Sequence, residues 1–232
     1  MIKPSFPTIE EDADHDQAPV LMSGASGSAR ESIAQIAAAL ETVATHLATG
    51  GMLLGADRVY GRTQWGYGDD RVVGFAVAVE IAGALAVDAV NLLGLDRRYS
   101  AAALIRQLIE CEYLVWSFGS DPEEARRWLN ADAQELRSIF SPSRIRQRSA
   151  GRFDPEEYQR HCGLGGHPSA AARSLLRAHS LEAPVEEQWT DLSSHFDRLW
   201  RTLLEAVQTL GLAAYLPAGL VASIKQPLVG GA

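Results

Sequence analysis

RVVGFAVAVEIAGALAVDAVNLLGLDRRYSAAALIRQLIECEYLVWSFG, residues 71–119, decides the fold class. The first half is apolar nearly all round a helix of about 71–93 that stops at Gly94, so it belongs at the centre of a fold. A second helix follows at about 99–118. Its Leu104, Ile105, Leu108, Ile109, Val115, Trp116 and Phe118 cover a wide arc, while Arg106, Glu110, Tyr113 and Ser117 fall on one narrow stripe. Two such helices in succession predict an antiparallel pair.

The run from Val72 to Leu95 is also the chain's one membrane candidate. Glu80 and Asp88 interrupt it, and acidic residues near the middle of a spanning helix cost roughly 2.5–3.5 kcal/mol each. Its many small residues (Gly74, Ala76, Ala78, Ala82, Gly83, Ala84 and Ala86) suit close helix contacts in a protein core. The opening residues, MIKPSFPTIEEDADHDQAP, lack the apolar stretch of a secretory signal. The expectation is a cytoplasmic protein with no membrane span.

Outward from this pair, the remaining segments also read as helices. Residues 1–22 set Glu10, Glu11, Asp12, Asp14 and Asp16 against Lys3, with three prolines, and SGASGS at 23–28 follows. Residues 1–27 are therefore expected to form a disordered acidic tail and linker, ahead of a single all-α domain over 28–232. Ile33, Ile36, Leu40, Val43 and Leu47 make an apolar seam on a helix from Ser28 to Thr49, stopped by Gly50-Gly51. The glycine-rich stretch 54–70 reads as an irregular loop. Asp121-Pro122-Glu123-Glu124 and Asp154-Pro155-Glu156-Glu157 are two helix starts with Asp as cap and Pro at the first helical position, and Glu124 is placed to reach back to the cap amide. Pro168 opens a helix to about His179, and Pro184 the last long one, with Leu192, Phe196, Leu199, Leu203 and Leu210 inward and Gly211 at its end. No run alternates with the period of a strand beside a hairpin turn. The expected fold is all-α: a helical bundle of four long helices with shorter helical insertions.

The 232 residues and 25.1 kDa correspond to between one and two domains, with 47% hydrophobic residues to fill a core. A net charge of −8 and a pI near 5.3 argue against a generic DNA-coating protein. Two cysteines, Cys111 and Cys162, are too few for a disulfide framework or a four-cysteine zinc site. No P-loop, dinucleotide fingerprint, HExxH or GxSxG is present.

Against this acidic background the stretch 141–180 is basic. Arg144, Arg146, Arg148, Arg152, Arg160, Arg173 and Arg177 face only Asp154, Glu156 and Glu157. Arginine suits bidentate phosphate contacts, so this is either an RNA-backbone surface or a solvated segment paired with acidic helices. Within it, Tyr158, Arg160, His161, Cys162 and His167 cluster around three glycines. A histidine can take a proton from a ribose hydroxyl while an arginine holds the phosphate. The alternative is a glycine-rich turn between helices. His161, Cys162 and His167 match no standard zinc spacing, so no metal or cofactor is expected. Glu80, Asp88, Arg106 and Glu110 are expected to form one polar cluster between the two central helices, either an internal ion-pair network or the wall of a pocket. Asp191 and His195, four apart on the last helix, form either a carboxylate that orients an imidazole or a surface pair.

The order of parts (Arg106-x-x-x-Glu110, the aromatic stretch Tyr113, Trp116 and Phe118, Trp128, Tyr158, then His167-Pro168) resembles bacterial all-α proteins related to the HEPN superfamily, over about residues 70–210. Active members are metal-independent ribonucleases of toxin–antitoxin and phage-defence systems. Their signature is an arginine, a polar residue and a histidine after four to six intervening positions. The resemblance implies Arg160 and His167 as a catalytic pair, RNA bound along Arg144, Arg146, Arg148 and Arg152, a homodimer, and a partner protein such as an antitoxin. Two other readings accompany it: a non-catalytic helical scaffold for dimerisation or partner binding, and a nucleotide or small-molecule binding bundle.

Overall fold

The computed structural model describes residues 70–176 and 185–215, with the single positions 31, 38 and 42. The expected tail, most of the expected 28–49 helix and the 54–70 loop lie outside the described residues. Glu31, Ala38 and Thr42 are helical, and Thr42 Oγ1 donates to the Ala38 carbonyl at 2.9 Å.

Among the described residues all regular structure is helical. The long helices are α1 (Asp70–Gly94), α2 (Arg98–Ser120) and α8 (Val185–Thr209). Between them run the short α3 (Pro122–Leu129), α4 (Ala133–Ser138), α5 (Pro142–Arg148), α6 (Pro155–His161) and α7 (Arg173–Leu176). A single π-helical turn, Cys162–Gly166, continues α6. The fold is all-α, as the sequence predicts.

The central helix is α2, packed against α1 on one side and α8 on the other. A three-residue turn at 95–97 sends α2 back along α1; Asp96 takes φ 55° there and its carboxylate accepts from Arg98 Nε at 2.7 Å. Phe75, Val79, Ile105, Leu108, Phe118, Phe196 and Leu203 fill the shared core. Burying each such side chain contributes roughly 1.5–3 kcal/mol. Small residues set the spacing: a Cβ on Gly74 would lie 2.3 Å from the Ala125 carbonyl oxygen, so only glycine admits α3 at that distance. Although α1 is long and apolar enough to cross a membrane, 61% of its most apolar window is buried inside the bundle, as in the core helix of a soluble protein.

Both aspartates cap as expected. Asp121 ends α2, its N–H donating to the Ser117 carbonyl, and starts α3, its carboxylate accepting from the Glu123 N–H at 3.0 Å. Asp154 accepts likewise from Glu156 at 2.9 Å. Glu124, expected to reach back to its cap, instead takes hydrogen bonds from Ser117 and Arg148 and ties α2, α3 and α5 together. The helix expected from Pro168 is a 3₁₀ turn, Ala170–Ala172, followed by the short α7.

One expectation is corrected. Glu80 and Asp88 do not join Arg106 and Glu110 in a polar cluster between helices; both are exposed on α1. The buried face of α1 is made by Val72, Phe75, Ala76, Val79, Ala82, Ala86, Ala89 and Leu93, and helical spacing turns positions 80, 84, 88 and 91 away from it. A glutamate or aspartate on that face reaches water without a buried partner, whereas burial would demand one.

Candidate functional site

Two polar constellations lie on the side of α2 covered by α5, α6 and the π-turn. The first is built on the narrow stripe of α2. Arg106 Nη2 donates to Glu110 Oε1 at 2.7 Å and to the Tyr158 hydroxyl at 3.3 Å, and that hydroxyl donates to Glu110 Oε1 at 2.7 Å. The Arg146 guanidinium stacks over the Tyr158 ring at 4.3 Å. Burial, with the Glu110 carboxylate beside it, pushes the Tyr158 phenol well up. Tyr113, with Phe153 at 4.1 Å, packs below; burial raises its phenol to about 12, and Arg146 opposes.

The π-turn is pressed onto this stripe. A Cβ on Gly165 would come within 2.5 Å of the Ala102 and Ala103 backbone, and one on Gly166 within 2.5 Å of Arg106 Cδ, whereas Gly163 faces open space. Two of the three glycines thus serve a close approach to α2. The ring expected beyond them, His167, is exposed at the C-terminal cap of the turn, in extended backbone.

The second constellation joins α6 to α8. His161 Nε2 and His195 Nε2 lie 3.1 Å apart, and both rings are buried. Asp191 Oδ1 sits 3.5 Å from the first nitrogen and 3.7 Å from the second. On its other edge, His195 Nδ1 lies 2.5 Å from Arg198 Nη2 and 3.8 Å from Glu112 Oε2. Arg198 in turn donates to Glu157 at 2.9 Å and pairs with Glu112 Oε1 at 3.4 Å. Glu112 is itself buried, and its Oε2 accepts no hydrogen bond.

Burial works against ionising Asp191, but the two imidazoles outweigh it and hold the carboxyl far below the usual carboxylate range. For His195, burial lowers the pKa, and the neighbouring Asp191 and Glu112 carboxylates more than offset it. The ring has two states in this setting. Neutral, its Nδ1 lone pair accepts from Arg198; protonated at Nδ1, it can donate only to a carboxylate, and the free oxygen of Glu112 is the one within reach.

A cavity of about 520 Å³ opens beside this cluster, lined by Glu112, Arg152, Phe153, Asp154, Glu157, Arg160, Arg198, Arg201 and Glu205. Each arginine has a carboxylate near it: Arg152 with Glu205 at 3.7 Å, Arg160 with Asp191 at 3.8 Å, and Arg201 with Asp197 at 2.7 Å.

The sequence-predicted residues therefore divide. Arg152 and Arg160 line the cavity, and His161 stands in the buried cluster next to it. His167 is not among the lining residues. Arg144 is exposed and donates to Gln147, Arg148 is held by Glu124, and Arg146 covers Tyr158. Arg106, Glu110 and Tyr158 form their own network. The residues that sequence reasoning missed are Glu112, Glu157 and Arg198, and for Asp191 and His195 it missed the burial of the ring and its contact with His161. Asp191 and His195 read as a surface pair, yet His195 is three residues from Leu192 and next to Phe196, inside the apolar arc of α8. That position was the available signal.

No family model matches the chain, and no curated protein or solved structure does.

Proposed function

We propose that this domain binds a phosphate-bearing ligand, a nucleotide unit of RNA, in the arginine-lined cavity, in keeping with the HEPN-type reading of its sequence. The observation that carries it is the convergence of Arg152, Arg160, Arg198 and Arg201 on one opening beside two buried histidines. A cavity of about 520 Å³ lies within the range of small-ligand sites. Arg152 and Arg160 stand farther from their carboxylates than a hydrogen bond, so both keep N–H donors to offer a phosphate. In the cleaving form of this proposal, Arg160 stabilises charge on the phosphate, and His167, the exposed histidine beyond the turn, exchanges a proton with the 2′-hydroxyl.

The test is incubation of purified protein with total RNA, with and without EDTA, alongside Arg160→Ala and His167→Ala. The proposal expects metal-independent cutting that leaves 2′,3′-cyclic or 3′-phosphate ends and is lost in His167→Ala. RNA left equally intact by all three proteins removes the nuclease. The competing reading, a non-catalytic scaffold, draws on the carboxylate beside every cavity arginine, the pattern of a surface that neutralises itself.

A further inference from the structure

His161 Nε2, His195 Nε2 and Asp191 Oδ1 form a triangle with sides of 3.1, 3.5 and 3.7 Å. A triangle with these sides has a circumradius of about 2.0 Å, so an ion standing a few tenths of an ångström off its plane lies about 2.1 Å from all three donors, the length of a zinc–imidazole or zinc–carboxylate bond. Tetrahedral coordination at that bond length puts neighbouring donors about 3.3 Å apart, close to all three sides. The two distances to Asp191 are too long for direct hydrogen bonds, so the carboxylate faces the histidine pair without closing on it.

We propose that these three side chains bind one divalent transition-metal ion of the zinc, cobalt and nickel class. Two imidazoles and one carboxylate suit such an ion better than magnesium or calcium, which prefer all-oxygen shells. The ligands come from two elements: His161 ends α6, and Asp191 and His195 stand one turn apart on α8. Glu157, whose Oε1 is 3.9 Å from His195 Nε2, stands next to the three donors and lines the cavity. Three protein ligands leave a fourth position of a tetrahedral ion for water or one further donor.

A second observation points the same way. A histidine that gives Nε2 to a metal carries its proton on Nδ1 and needs an acceptor there. Glu112 Oε2, buried and without a hydrogen bond, lies 3.8 Å from His195 Nδ1. In the loaded site Glu112 is thus a positioning residue. Arg198, which approaches the same nitrogen, keeps Glu157 and the other Glu112 oxygen as partners when it gives way. The inference does not rest on the RNA reading, because its readout is the ion itself.

The experiment uses the full chain without a histidine tag, stripped with chelator and titrated with Co²⁺ while the visible d–d bands are followed. The expected result is one equivalent of Co²⁺ bound with bands between 500 and 700 nm, on the order of the signal of a low-coordinate nitrogen–oxygen site. Asp191→Asn, which keeps shape and polarity, should weaken binding at least about tenfold, and His195→Gln should abolish the bands. Glu112→Gln should weaken binding about 10- to 100-fold. Circular dichroism on each variant checks folding, and Asp191→Asn carries the test if His195→Gln does not fold. His167→Ala and Cys162→Ser should bind as the wild type. Folded wild type that takes up no stoichiometric Co²⁺, binding that survives both Asp191→Asn and His195→Gln, or binding lost in Cys162→Ser or His167→Ala would each overturn the site.

Discussion

His161 and His195 meet Nε2 to Nε2 at 3.1 Å, although 34 residues separate them in the chain. The contact is a buried polar link between α6 and α8, beside the Glu157–Arg198 pair that joins the same two helices. Replacing His195 with Leu takes one of the two imidazoles from beside Asp191 and sets an apolar group against the buried carboxylates of Asp191 and Glu112. Leaving buried charges without partners typically costs about 3–5 kcal/mol. Urea denaturation should show a loss in that range, against less than about 0.5 kcal/mol for the exposed His167→Ala. Equal midpoints for the two variants would remove the structural importance of the pair.

Gly165 and Gly163 separate packing from chain flexibility. Gly165→Ala drives a Cβ against the α2 backbone, where nothing flexible can yield, and should cost about 1–3 kcal/mol. Gly163→Ala enters open space and should leave stability within about 0.5 kcal/mol. Thermal melts of the two variants check this. An unaffected Gly165→Ala would mean the π-turn stands off α2.

Arg106→Ala should lower stability by about 1–2 kcal/mol, short of the loss expected for a fully buried network. Its side chain and that of Glu110 keep 22% and 29% exposure, so water screens the carboxylate left behind. Tyr158→Phe should cost less, about 0.5–1.5 kcal/mol, since it removes one hydroxyl from the same network. Chemical denaturation of both variants gives the comparison; global unfolding of Arg106→Ala would place the stripe in the deep core.

Alkaline pH should destabilise the domain. Burial raises the Cys111 thiol to about 12, with Glu110 adding to it, and raises the Tyr113 phenol to about 12. Unfolded, these groups ionise near their ordinary values of 9.0 and 10.0. Between those values and about 12 the folded state holds more protons than the unfolded one, so stability falls as pH rises. Urea midpoints at pH 7, 9 and 10.5 should be level at first and then drop. In the native state Cys162, which is only half-buried, should react with a thiol reagent before Cys111. A midpoint that rises with pH above 9 would contradict this.

The helices were legible because apolar periodicity and capping are local. Residues 71–93 and 99–118 became Asp70–Gly94 and Arg98–Ser120, and Asp121 and Asp154 cap as their neighbours require. The short α4 and α5 carry too few residues to show a period, and one exposed stripe along α1 is enough to move Glu80 and Asp88 from a buried cluster to solvent. The site was harder to read. His161 stood out beside Cys162 and His167, but its partners come from α8, and no spacing along the chain records that α6 and α8 meet. Glu112, one residue from the stripe of Arg106, Glu110 and Tyr113, points away from that stripe and meets Arg198 of α8.

The central functional claim is that the arginine-lined cavity receives a phosphate-bearing ligand. Fluorescence anisotropy with a labelled single-stranded RNA, read at two salt concentrations, tests it most directly, comparing wild type with the Arg160→Ala/Arg201→Ala double variant. Both side chains are exposed and line the cavity, so the change should leave folding intact. The account predicts saturable binding by the wild type that weakens with salt, and at least about a tenfold loss in the variant with a shallower salt slope. Equal affinity and equal slope for the two proteins, or no binding by folded wild type at low salt, would contradict it.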